Sequence, residues 1–177
     1  MSPRGRFIAL IATALLISIA APTAQALACS GAGARPTAAN RAKVRSAVVC
    51  LVNAERRKRG LPALHSNRRL QSAARKHSQD MRKRHYFAHV TPAGKTDVQR
   101  ARQAGYGRFR TLGENLAWGS GSLATPRAIV RSWMQSPGHR ANILNRRFRD
   151  VGLGIALGAP VRGMRGGATY TAAFGSR

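Results

Sequence analysis

Acid–base or metal chemistry in this chain has few residues to draw on: five histidines and five carboxylates among 177 residues. Three stand out by their surroundings. His89 lies in Tyr86-Phe87-Ala88-His89-Val90-Thr91-Pro92, between a helical stretch and a turn. Glu114 lies in Gly113-Glu114-Asn115-Leu116-Ala117-Trp118, a carboxylate set among apolar residues. His139 follows Ser136-Pro137-Gly138, where Pro137 disfavours helix at Ser136 and forces a bend. These three are the candidates for catalysis and for metal binding alike. Two imidazoles and a carboxylate suit a divalent cation with an open position, zinc first. They would equally make a metal-free hydrogen-bonded network in which Glu114 orients a histidine tautomer. The three come from distant parts of the chain, so spacing does not choose between these readings.

The elements that must position them follow from periodicity. A first helix is expected over about 38–59, with Val44, Val48, Leu51, Val52 and Glu55 on one side and Arg56, Arg57, Lys58 and Arg59 exposed. Gly60 and Pro62 end it. A second spans about 66–84, capped by Ser66, with Leu70, Ala74, His77 and Met81 on one face. There His77 reads as a packing residue. The turn Thr91-Pro92-Ala93-Gly94 leads to a short third helix near 96–104, and a fourth runs from Thr125 to Gln135 with Ile129, Val130 and Trp133 inward. His139 then falls just past a helix end, before a short apolar turn at Ile143-Leu144.

Near the C-terminus the period changes from helical to alternating. Val151, Leu153 and Ile155 alternate with small residues, as do Ala168, Tyr170, Ala172 and Phe174, which predicts two strands with half-buried faces. The Gly/Pro-rich link 158–167 makes them an antiparallel hairpin, and Gly113–Trp118 is the best donor of the third strand that a hairpin needs. Helices mostly first and strands mostly last predict an α+β fold.

Residues 1–28 read as a secretory signal: Arg4 and Arg6, an apolar run from Phe7 to Ala21, and the small-x-small site Ala26-Leu27-Ala28. The run is too short to span a bilayer comfortably, so a transmembrane anchor is not expected. Cleavage after Ala28 puts Cys29 first, which raises an envelope-attached lipoprotein as the alternative to simple secretion. Ala26 stands where a lipidation signal wants Leu, which favours secretion. A leader over 29–37 and one domain over 38–177 would remain. For an exported chain the two cysteines, Cys29 and Cys50, are expected to pair rather than stay as free thiols. Closing that loop would contribute roughly 3 kcal/mol.

The charge is extreme, with 31 basic residues against 5 acidic ones. Only Arg4 and Arg6 of these fall in the signal, so the exported part keeps a net charge of about +24. Partners are expected among anionic envelope polymers or lipids, or a small amphiphile. Specific nucleic-acid binding is not expected, because the charge is spread out and no aromatic residues are interleaved to stack bases.

Leu51-Val52-Asn53-Ala54-Glu55-Arg56, Phe87-Ala88-His89-Val90-Thr91-Pro92-Ala93-Gly94, Gly113-Glu114-Asn115-Leu116-Ala117, Trp133 through Leu144, and Val151-Gly152-Leu153-Gly154-Ile155-Ala156 occur in that order. Across about 45–175 the chain resembles the bacterial branch of the CAP superfamily. These are SCP-domain proteins related to cysteine-rich secretory proteins, antigen 5 and pathogenesis-related proteins. The resemblance implies a three-layer α-β-α sandwich with a small antiparallel sheet of about three strands, about four helices, and an extracellular home. It also implies a central cleft with a His/Glu/Glu/His set that holds a divalent cation in some members. By position, His89 matches the first His, Glu114 the first Glu and His139 the second His, while Ser136 stands where the second Glu would be expected. Sterol or lipid binding, protease activity and partner binding have all been proposed for members. The resulting expectation is a secreted module that binds an anionic or amphiphilic envelope ligand through a His/Glu cleft and a basic surface. The alternative is a metal-dependent, peptidase-like extracellular hydrolase in the same cleft, with Glu114 as base or Ser136 attacking with help from His139.

Overall fold

Cys29 is bonded to Cys50, which pins the start of the described chain to the first helix. The computed structural model describes residues 29–177, so the expected signal over 1–28 lies outside the described residues. The bridge takes the Cys29 sulfur that the lipoprotein alternative would need for its lipid.

The helices are α1 (Arg41–Arg57), α2 (Arg68–Arg84), α3 (Asp97–Gln103), α4 (Pro126–Gln135) and α5 (Pro137–Ile143). The strands are β1 (His65–Ser66), β2 (Thr111–Gly119), β3 (Asp150–Leu157) and β4 (Ala168–Ser176), ordered β1-β3-β4-β2. The β3–β4 hairpin and the β2 addition are antiparallel, as the alternation requires. β1 pairs in parallel with β3 through His65 and Ser66 alone. The sheet is therefore mixed and four-stranded rather than antiparallel and three-stranded, because two exposed residues leave no alternation to read.

Helix boundaries depend on side chains that compete with the backbone. Ser66 joins the sheet, so the cap of α2 is Asn67, whose Oδ1 accepts from the backbone of Arg69 and Leu70. Thr96 and Gln99 form a reciprocal capping box at α3. Ser136 ends α4, but Pro137 then occupies the first position of a new helix, where its missing N–H costs nothing. The result is a fifth helix, with His139 in its first turn.

The sheet lies between α1, α4 and α5 on one face and α2 and α3 on the other. Val44, Val48, Val52, Ile129, Trp133, Val151, Leu153, Ile155 and Phe174 form the main core on the first face. The second face is also covered, so the strands are buried on both sides and not half-buried as expected. Glycine allows this. A Cβ on Gly152 would sit 2.1 Å from the α2 backbone at Leu70 and Gln71, and one on Gly154 would sit 2.2 Å from Ala74. α2 thus packs backbone to backbone on β3, and Ser78 donates to Thr171 across the interface.

Arg56 departs most from the sequence reading. Expected on the solvated side of α1, it has no exposed surface. Its Nε donates to Pro62 O, its Nη1 to Ile143 O and Asn145 O, and its Nη2 to Phe148 O. The fork ties the C-terminus of α1 to the link between α5 and β3.

Candidate functional site

Met81 and its neighbours bury the inner face of α2, and His85 ends that helix in the left-handed region at φ 55°. The chain then turns back over α2. His77, buried as expected, donates from Nε2 to Ala88 O at 3.0 Å, since a carbonyl can only accept. This fixes its tautomer and holds the backbone beside His89. Burial outweighs nearby carboxylates and pushes the His77 pKa below the ordinary imidazole range.

Glu114 projects from β2 toward α2 and α3, with 5% of its side chain exposed. His89 Nδ1 donates to Oε1 at 2.9 Å, and Arg100 Nη2 donates to Oε2 at 2.7 Å. His77 Nε2 stands 3.9 Å from the same Oε1. Arg100 also donates from Nη1 to His89 O and Lys95 O, so α3 clamps both the carboxylate and the segment bearing the histidine. The hydrogen bond to Glu114 raises the His89 pKa above the ordinary imidazole range, against a smaller opposing effect of burial. With Nδ1 directed inward and the side chain 57% exposed, His89 keeps Nε2 for solvent or ligand.

Of the three sequence candidates, His89 and Glu114 are hydrogen-bonded to each other, and the His139 backbone is tied to Asn115, the residue after Glu114. An amide ladder presents His139 from α5: Asn142 Nδ2 donates to Glu114 O and Asn115 Oδ1, and Asn115 Nδ2 donates to His139 O. Among the described residues its ring makes no hydrogen bond to either partner, and Ser136 makes none to it. Its pKa falls below the usual value through burial first and then through the positive charge of His89.

The donor set does not fit a divalent cation in this geometry. Among the described residues no group of three His, Cys, Asp or Glu side chains could hold a metal ion. Both carboxylate oxygens of Glu114 are also already engaged, Oε1 by His89 and Oε2 by Arg100. A hollow of about 280 Å³ between α2, α3 and the 91–95 turn is lined by His77, Lys76, Lys95 and Arg100, and by none of the three candidates. Sequence reasoning missed Arg100, Asn115 and Asn142. Asn115 directly follows Glu114 and so carried a local signal; Arg100, one of 26 arginines, carried none.

The chain is thus a disulfide-bonded α-β-α domain with a His/Glu pair anchored on its second strand. The chain belongs to the cysteine-rich secretory protein family, CAP, whose model matches residues 49–171. It is 42% identical over 107 residues, 60% of this chain, to the uncharacterized protein YkwD of Bacillus subtilis. The chain spans less than half of that relative, 40% of its length. A crystal structure of an extracellular protein containing an SCP domain from Bacillus anthracis superposes with a TM-score of 0.61 and 28% identity, covering 77% of this chain and 44% of that one. An outer surface protein of Borrelia burgdorferi shares the fold, with a TM-score of 0.67 and 19% identity over 82% of this chain and 98% of that one. Among the described residues no helix is long and apolar enough to cross a membrane.

Proposed function

We propose that this protein is a secreted binding module for an anionic or amphiphilic component of the cell envelope. The observation that carries the reading is the use made of its few acids. Glu55 is held by Lys58 and Arg59, Glu114 by Arg100 and His89, and Asp150 accepts from Tyr106. Asp80 accepts from Tyr86 and faces Arg84, while Asp97 lies in the first turn of α3. The carboxylates are spent on internal structure, and a large excess of cations faces outward. The disulfide suits an oxidising compartment, and the extracellular relative supports the same location. In co-sedimentation, the protein is expected to bind phosphatidylglycerol vesicles at low ionic strength, to release as salt screens the charges, and to ignore phosphatidylcholine. No binding to anionic vesicles at low salt would sink the reading.

One feature favours hydrolysis as a second reading. Glu114 orients His89 by Nδ1 and leaves Nε2 free to take a proton from water, the arrangement of a carboxylate-assisted general base. A peptidase and phosphodiesterase screen comparing the wild type with Glu114→Gln tests it. Equal activity in both, or none in either, removes it.

A further inference from the structure

We infer that the end of the sheet carries a phosphate-binding hollow formed by Arg110, Arg147 and Arg149, with Arg177 at its rim. The inference rests on the anionic-ligand reading above and narrows it to one chemistry at one place. The hollow measures about 500 Å³ and is lined by four arginines with Thr111 and Ser176, and by no carboxylate side chain.

Its geometry follows from the topology. β4 ends between the starts of β2 and β3, so Arg110 N donates to Ser176 O and Arg149 N to Gly175 O, at 2.8 and 2.9 Å. With strands spaced about 4.8 Å apart, Arg110 and Arg149 flank β4 roughly 10 Å from each other. Their long side chains can fold onto one ligand from both sides. Arg147 comes from the same link as Arg149. That link is not a loose loop, because buried Arg56 donates to Ile143 O, Asn145 O and Phe148 O, and the Phe148 ring stacks on Phe174. The guanidiniums are therefore presented by a braced backbone, which reduces the ordering cost of binding.

Their donors are largely free. Among the described residues, the side chains of Arg110 and Arg147 make no hydrogen bond or ion pair. Arg149 uses Nη1 on Arg146 O and Phe148 O, leaving Nε and Nη2. Arg177 lies over the Tyr106 ring and its Nε is 3.9 Å from Asp150, a long pairing. Arg110, Arg147 and Arg149 have no carboxylate paired with them, so their like charges repel one another, and an anion between them reduces that cost. The positive charge of Arg149 reaches even Arg56, whose pKa falls through burial first and then through that neighbour. One or two arginine forks saturate a planar carboxylate. Three arginines lining one hollow suit the tetrahedral oxygens of a phosphate.

The test uses the full chain, labelled with ¹⁵N, and inorganic phosphate followed at the arginine Nε–Hε signals. Changes confined to Arg110, Arg147 and Arg149 support the site; changes spread evenly over all arginines overturn it. The double variant Arg110→Gln with Arg147→Gln removes two side chains that hold nothing in the fold. It is compared with Arg75→Gln with Lys83→Gln, an exposed pair of equal charge elsewhere. Phosphate affinity is expected to fall roughly ten-fold or more in the first and to change little in the second. Equal weakening in both, with vesicle binding by the wild type intact, overturns the hollow and leaves the anionic-ligand reading standing. Failure of the wild type to bind phosphate or phosphatidylglycerol vesicles removes both. A selective loss with vesicles as well as free phosphate identifies a lipid headgroup as the source; a loss with free phosphate alone identifies a soluble phosphate.

Discussion

Arg100 and Glu114 form a buried ion pair, Nη2 to Oε2 at 2.7 Å, with 7% and 5% of their side chains exposed. Glu114→Gln keeps the shape but strands the guanidinium between α3 and β2 without its counter-charge. Breaking one side of such a pair costs about 3 kcal/mol, and urea unfolding is expected to show a loss of that size. A loss below about 1 kcal/mol would mean that Arg100 is held by the carbonyls of His89 and Lys95 alone.

The three neighbouring histidines should titrate on different sides of the ordinary value of 6.5: His89 above it, His77 and His139 below. The folded state binds the His89 proton more tightly than the unfolded chain does. Its contribution to stability is therefore full below the unfolded pKa and is lost as pH rises through the folded one. For His77 the sign reverses, because the folded state resists protonation, and stability drops as pH falls below the unfolded value. NMR titration of the ring protons checks the order. A His77 midpoint above that of His89 would contradict the burial and pairing described for them.

Adjacent arginines of α1 offer a control for buried cation bonding. Arg56→Met removes a donor from four carbonyls and leaves Pro62 O and Ile143 O without one, since Asn145 O keeps Phe148 N and Phe148 O keeps Arg149 Nη1; it should cost about 3 kcal/mol. Arg57→Met, on the exposed side, should stay within about 0.5 kcal/mol. Thermal melts of the two variants decide it, and similar midpoints would refute a structural role for Arg56.

Gly154→Ala drives a methyl into the α2 backbone and should cost about 3 kcal/mol, since neither the strand nor the helix can yield independently. Gly138→Ala meets nothing within 4 Å and lies inside α5, so it should stabilise by about 0.5–1 kcal/mol. Denaturant midpoints moving in opposite directions are the expected outcome.

The amino-acid order alone determined most elements and two of the three partners at the candidate site. Val44, Val48 and Val52 at helical spacing, and Val151, Leu153 and Ile155 at alternate positions, bury one side of an element whatever they pack against, so periodicity reveals them. Gly113-Glu114-Asn115 marked its carboxylate because a charge among apolar neighbours must find a partner. Which partner it finds is a matter of three dimensions. Arg100 and Arg56 look like any other arginine in a chain crowded with them, and only the fold places one on a buried carboxylate and the other among carbonyls more than eighty residues away. The setting of His139 was likewise decided in three dimensions, because Pro137 opens a helix instead of a turn and Asn115 holds the His139 carbonyl. Local patterns record what a residue needs. Contacts between distant segments, which carry the electrostatics of this protein, arise only when packing brings those segments together.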